Sequence, residues 1–338
     1  MAFDPQANAE YPNLVNVAKR LDPDGNIADI AELLNQTNEI LDDAVWIEGN
    51  LPTGHRDTTR SDVPAGVWRK LNYGVKPHKS GTTQVTDSIG LLEDRSAVDV
   101  EIANLNGNSA AWRMSEDRAF IEGLSQSMAT ALFYADTTVD PEKPLGFAPR
   151  YDAIGDPTDK PTANSYMNHV LDLGGTGGTS IWLIGWAEDK VRLIYPKGSK
   201  AGLEMKDLGE VDAFDSDGGK FRAYESLYKV KFGLSIKDWR YVVRLANVDP
   251  AMTLDTAGID TITDRLIEAT AAIPNLKGAR MVFYMHRKVM ALLHKAAVRK
   301  ANMSLSFGDI YGIRNQLNIS GIPIKQCDAI LLNEGHIL

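Results

Sequence analysis

Apolar and polar residues alternate over most of residues 220–247. Tyr228, Val230, Phe232, Leu234 and Ile236 take every second position, with Lys229, Lys231, Ser235 and Lys237 among the residues between and after them. A period of two marks a strand with one buried face. The phase slips by one residue at Lys237-Asp238, after which Trp239, Tyr241, Val243 and Leu245 carry the apolar positions. A slip of one turns the face over, so the pattern predicts either a β-bulge or two strands joined by a bend. Taken as one strand, the alternating part is about 18 residues, roughly 60 Å at ~3.3 Å per residue, against about 5–6 residues for an ordinary strand. Such a ribbon suits a molecule built for reach more than one built around a cleft.

Helical spacing takes over elsewhere. Residues 27–43 place Ile27, Ile30, Leu33, Leu34, Ile40 and Leu41 near one face behind Asn26, a predicted N-cap. The strongest predicted helix covers 109–134, with Ile121, Leu124, Met128 and Leu132 at helical intervals. It starts near Ser109 or at Ser115, where Glu116 and Asp117 suit the positive end of a helix. A helix over 258–273 runs through Ile259, Ile262, Leu266 and Ile273 and stops at Pro274. Another, over 286–300, turns Val289, Leu292, Leu293 and Ala296 inward. Short strands are predicted at Val98–Ile102, at 281–285 and at 328–332, and a hairpin at 179–187 and 190–195. Residues 135–178 and 196–219 are predicted as loops. Residues 1–26, with Pro5, Pro12 and Pro23, are predicted as an extended arm.

Residues 51–88 break both patterns. Pro52, Pro64 and Pro77 alternate with Gly54, Gly66, Gly74 and Gly81, and large apolar side chains are few. A segment this long and this polar does not make its own core. The pair Val67-Trp68 near its middle favours a projecting hairpin that packs against something else over a disordered linker.

Composition is that of an ordinary globular chain: 338 residues, 43% hydrophobic and 24% charged, enough for a sizeable core in one large domain or two to three small ones. The formal net charge of −9 disfavours a dedicated nucleic-acid binder. The start of the chain has no basic region followed by an apolar run, so no signal peptide is expected, and no apolar run reaches the ~18 residues of a membrane span. The expected compartment is a reducing cytoplasm.

Candidate chemistry is sparse. The single cysteine, Cys327, precludes an internal disulfide and sits in an apolar run that predicts a buried strand. GGTGGTS at 174–180 lacks the lysine of a phosphate-binding loop. His286 and His294 stand eight apart, about 12 Å along a helix at ~1.5 Å per residue, too far to share a metal. Asp152, Asp156 and Asp159 lack the spacing of a calcium loop. Asp99 and Glu101 fit the wet face of a strand, and the basic residues His286, Arg287, Lys288, His294, Lys295, Arg299 and Lys300 fit a solvated helix face. No enzyme, cofactor or metal site is expected. Reaching elements without a convergent catalytic set point to an assembly protein, because an arm with no core of its own gains burial only from a neighbour.

Several strings carry a family resemblance: GFAPRY at 146–151, WLIGWAEDKVRLIYPKGSKAGL at 182–203, DLGEV at 207–211, DWRYVVRLANVD at 238–249, VFYMHR at 282–287 and GIPIKQCDAIL at 321–331. In this order, and from about residue 25 to the C-terminus, the chain resembles major capsid proteins of tailed bacteriophages of the short-tailed type. The resemblance implies an α+β chain with the Hong Kong 97-type capsid fold. Its parts would be an N-terminal arm (1–26), a helix and strand leading to the loop (27–50) and an extended β-hairpin loop (51–88). A peripheral domain (89–249) would hold the spine helix 109–134 and the ribbon 220–247. An axial domain (250–325) and a C-terminal strand returning to the body (326–338) would complete it.

The implied function is structural: self-assembly through hexamers and pentamers into an icosahedral shell around double-stranded DNA. Scaffolding and portal proteins, with a cement protein as a further candidate, are the implied partners, and no membrane is involved. The implied place is the virion capsid, assembled in the host bacterial cytoplasm. Arg56, Asp57, Trp68 and Lys70 are expected at intersubunit contacts. Lys70, Lys76 and Lys79 lie in the loop, but nothing identifies partners for the lysine cross-linking of some family members. An encapsulin-like compartment, a small-ring tail or adaptor protein and a soluble enzyme are the rival readings.

Overall fold

A computed structural model describes residue 11 and residues 36–104, 109–155, 166–175, 177–215, 217–250, 256–298, 305–310 and 313–338. The predicted arm, apart from Tyr11, and residues 27–35 of the first predicted helix lie outside the described residues. The described chain opens with helix α1 (Ile40–Asp43) and strands β1 (Trp46–Glu48), β2 (Gly54–Asp62), β3 (Gly81–Ser88) and β4 (Gly90–Asp99). Helices α2 (Val100–Asn104) and α3 (Ser109–Tyr134) follow, then strands β5 (Val170–Asp172), β6 (Thr179–Trp186) and β7 (Val191–Tyr195). Next come β8 (Leu203–Phe214), β9 (Lys220–Ile236) and β10 (Val242–Val248). The described chain finishes with α4 (Thr256–Ala272), β11 (Arg280–Met285), α5 (Arg287–Val298), β12 (Leu305–Ile310), β13 (Ile313–Ile319) and β14 (Ile322–Gln326). The chain divides into two compact units, and α3 and β9 each run from one into the other.

The described residues of the first unit are 11, 91–104, 109–128, 202–215 and 217–231. Strands β8 and β9 pair antiparallel from Leu203↔Val230 to Phe214↔Lys220. The register shifts between Asp207 and Gly209; Gly209 has φ +72°, a conformation glycine adopts without a side-chain clash. A small core gathers Val98, Ala103 and Trp112, with Ile102 and Tyr224 packed against it. Phe120 on α3 stacks on Tyr228 of β9, centroids 5.8 Å apart. Arg113 pairs with Asp207 at 2.7 Å, and the Tyr228 hydroxyl donates to Asp117. The Tyr11 ring meets Phe221 edge-on at 5.1 Å.

The second unit is organised on β6, all eight of whose residues are buried. Strand β10 flanks it on one side and β11 on the other, both antiparallel. Beyond β11 the sheet continues through β14 (parallel), β13 and β12 (each antiparallel). Strand β7 pairs with β1 in parallel and with Gly233–Ile236 of β9 antiparallel. A strand covered on both faces carries a continuous apolar run rather than an alternating one, and Ile181, Trp182, Leu183 and Ile184 all have no exposed surface. Trp182 meets Phe133 from the end of α3 and Phe147 from the loop after it, with centroids 5.7–5.8 Å apart.

The structure decides between readings the sequence left open and corrects several others. The ribbon is two strands: Asp238 accepts from the Arg240 backbone N–H at 3.2 Å and caps a short 3-10 turn, Trp239–Tyr241, between β9 and β10. Residues 100–102 are helical, because the Asp99 carboxylate accepts from the Glu101 backbone N–H at 2.8 Å and starts α2. The segments at 179–187 and 190–195 meet at one residue pair, Trp186↔Val191, and otherwise pair with other strands. Residues 203–214, expected in a loop, form β8; their polar character reflects a strand exposed along most of its length. Residues 328–330 form a turn after β14 and Leu331 follows outside any strand. Within 36–43 only Ile40–Asp43 is helical. The long helix begins at Ser109, which puts Ser115 inside it.

Candidate assembly surface

Residues 51–88 fold as the hairpin β2–β3, paired antiparallel from Gly54↔Ser88 to Asp62↔Gly81. Residues 63–80 beyond it contain no helix or strand, and every one is exposed. Trp68 is 100% exposed, Leu71 84% and Tyr73 69%, and Val63, Val67 and Val75 are also open to solvent. The same stretch carries Arg69, Lys70, Lys76 and Lys79 and no acidic residue, in a chain of formal net charge −9. Isolated apolar side chains on a surface are ordinary; six in one exposed segment make this stretch a candidate interaction site.

The base of the hairpin is built differently. The pairs His55↔Asp87, Asp57↔Val85 and Thr59↔Thr83 put these six side chains on one face, with Val85 as the one large apolar member. Asp57, 8% exposed, pairs with Arg192 of β7 and accepts from the Ser235 hydroxyl at 3.2 Å. Asp87 pairs with Arg150 at 2.7 Å, both side chains buried, and Arg150 also donates to the Leu234 carbonyl at 3.2 Å. Asn50 clamps the Arg56 backbone, donating to its carbonyl and accepting from its N–H, both at 2.8 Å. At Gly233 a Cβ would lie 2.3 Å from the Ser88 carbonyl oxygen, so glycine admits the end of β3 against β9.

Of the residues expected at intersubunit contacts, Trp68 and Lys70 lie in the exposed tip. Arg56 lies on the exposed face of β2, its Nε donating to Thr86 at 3.1 Å. Asp57 sits in the buried base, held by its own chain. Sequence reasoning missed the Asp57–Arg192 and Asp87–Arg150 pairs. The one signal was an aspartate at an inward position on each hairpin strand, and the partners are 135 and 63 residues away.

Other buried polar groups are tied within the chain. Asp43 receives Arg280 at 2.5 Å, Lys325 at 2.8 Å and the Tyr284 hydroxyl at 2.7 Å. Glu334 receives Arg244 at 2.8 Å and the hydroxyls of Tyr134 and Ser180. Burial pushes the Cys327 thiol up to about 12, which leaves it protonated and unreactive. Among the described residues no cluster of His, Cys, Asp and Glu could hold a metal ion, and no helix is long and apolar enough to cross a membrane. Asp156, Asp159, Arg299 and Lys300 lie outside the described residues.

A sheet-based body, a long helix and a projecting hairpin with an exposed apolar tip define a viral shell protein of the Hong Kong 97-type capsid fold. The chain belongs to the major capsid protein GP7 family, whose pattern matches residues 22–338. Among solved structures it is similar to bacteriophage Epsilon15, with a TM-score of 0.74 at 29% identity over 100% of this chain and 99% of that one. The bacteriophage JBD30 capsid shares the fold, with a TM-score of 0.53 at 8% identity over 88% of this chain and 93% of that one. An encapsulin of Synechococcus elongatus PCC 7942 reaches a TM-score of 0.41 at 12% identity over 70% and 96%, too distant to support the compartment reading. A search of curated proteins finds no match. The role of the chain is that of a major capsid protein, structural and self-associating, and its place is the virion capsid.

Proposed function

We propose that copies of this chain form the hexamers and pentamers of an icosahedral shell around the double-stranded DNA of a tailed bacteriophage, with residues 63–80 laid across a neighbouring copy. The observation that carries this reading is the exposed tip, whose large apolar side chains have no cover from their own subunit. Ordering such a segment costs roughly 1–2 kcal/mol of backbone entropy per residue. A sister subunit that covers Trp68, Leu71 and Tyr73 offsets that cost by the burial it supplies. Four cations on the tip of an acidic chain also steer it toward the acidic surface of another copy. Trp68 and Lys70 supply the contact, Arg56 extends it along the strand, and Asp57 holds the base beneath it. Assembly takes place in the host cytoplasm on a scaffolding protein and a portal, with a cement protein as a further partner. The DNA is enclosed without base-specific contacts.

The hairpin suggests the test. Asp62 and Gly81 are already paired, so residues 63–80 can be replaced by an Asn-Gly turn that suits two antiparallel strands. The shortened chain is expected to fold as a soluble subunit and, with its scaffold, to yield no closed shells by electron microscopy. Normal shells from it would refute the role of the tip.

A further inference from the structure

The tip shows where the hairpin reaches; its base shows how the reach is aimed. A two-stranded hairpin is at best marginally stable in water, and packing against the body usually fixes its direction through apolar side chains. Here the inward face is almost wholly polar, with Val85 alone among His55, Asp57, Thr59, Thr83 and Asp87. What ties that face to the body is charge. Arg192 comes from β7 and Arg150 from the loop after α3, and each meets a carboxylate on a different strand of the hairpin. The Arg192 guanidinium also lies 3.0 Å from His55 Nε2 and donates to the Glu188 carbonyl. The Asn50 backbone N–H meets the other His55 ring nitrogen at 3.2 Å.

We propose that these two buried pairs, Asp57–Arg192 and Asp87–Arg150, form a charge lock that sets the direction of the hairpin in the free subunit, before any neighbour is present. One pair alone is a pivot, about which the hairpin could turn. Two pairs on separate strands, anchored at separate points of the body, remove that rotation. A buried guanidinium that loses its carboxylate is left uncompensated in low dielectric, so the lock resists partial opening. The hairpin is thereby pre-organised for its contact, which lowers the ordering cost of association. The lock concerns the subunit alone and holds whether or not the tip docks on a sister copy.

The test is a distance measurement between paired spin labels on dispersed subunits, at Arg60→Cys near the far end of β2 and Lys197→Cys on the body. Both native side chains are exposed, and the native Cys327 is buried and protonated. The proposal requires a single narrow distance distribution in the otherwise unchanged chain; a broad or multi-peaked one overturns it without any further variant. Asp57→Asn and Asp87→Asn, singly and together, are then expected to lose the narrow peak while near-ultraviolet dichroism reports an intact body. A folded double variant that keeps the narrow peak also overturns the lock. Shell formation by such a variant bears on the tip, not on this measurement.

Discussion

Strand β6 and the hairpin tip are both rich in large apolar side chains, and they meet opposite fates. Every residue of β6 is buried, enclosed by β10, β11 and the rings of Phe133 and Phe147. The tip places Trp68, Leu71 and Tyr73 in water. The difference lies in what each segment can pair with. Ile181, Trp182, Leu183 and Ile184 are consecutive, so both faces of β6 must be covered and the chain covers both. The tip is interrupted by Pro64, Gly66, Gly74 and Pro77 and has no strand neighbours, so its apolar groups stay exposed. Hydrophobic surface is thus buried for subunit stability in one place and left open in the other, where the proposed function puts association.

Substitutions can break or sharpen that contrast. Trp182→Ala removes one of the two buried tryptophans of β6 and is expected to destabilise the subunit by about 3–5 kcal/mol, read as a lower denaturant midpoint. A shift below ~1 kcal/mol, the ordinary scale for a point substitution, would show that β6 is not the centre of the core. Glu334→Ala strands the buried Arg244 and two hydroxyls; the expected loss, about 3–5 kcal/mol, is of similar size. Ile184→Val trims one methylene from the same wall and should cost roughly 0.5–1.5 kcal/mol. Trp68→Ala lies at the other extreme: subunit stability should stay within about 0.5 kcal/mol, while the yield of closed shells falls. Equal shell yield would place the association energy elsewhere on the surface.

The core also predicts a pH dependence. Burial holds the His169 imidazole below its ordinary value of 6.5, and its Nδ1 lies 3.1 Å from the Val242 carbonyl. The folded state therefore favours the neutral ring, and the unfolded chain binds the extra proton first as pH falls. Stability associated with this group is present above about pH 6.5 and is lost as pH falls from there through the lower, folded-state value. Burial shifts His286 in the same direction. His169→Phe should therefore flatten, but not abolish, the decline of the thermal midpoint below pH 6.5; an unchanged slope would exclude His169 as a contributor.

Much of this organisation was legible in the residues. Local periodicity is set by which face a chain buries, so the long helix, the alternating ribbon, α4, α5 and the projecting hairpin were readable one segment at a time. The phase slip at Lys237-Asp238 was visible too, but the sequence left bulge and bend open until the Asp238 cap was seen. Failures came where partners lie far along the chain. Strand β8 carries Lys206, Asp207, Glu210 and Asp212, and nothing local shows that β9 returns alongside it. The hairpin at 305–319 was missed altogether. At the candidate surface, the exposure of Trp68 and Lys70 could be anticipated because aromatic and basic residues in a Pro/Gly-rich segment are a local signal.

What the chain determined by itself was the alternation of apolar and polar positions, the Pro and Gly punctuation of residues 51–88 and the uncovered aromatic groups of the tip. Each depends on neighbours within a few residues. Which strands lie side by side, and which arginine meets which aspartate at the root of the hairpin, was decided only by the tertiary structure. A buried carboxylate requires a counter-charge in its own low-dielectric surroundings, and the chain supplied those cations from 135 and 63 residues away, a distance over which local pattern carries no information.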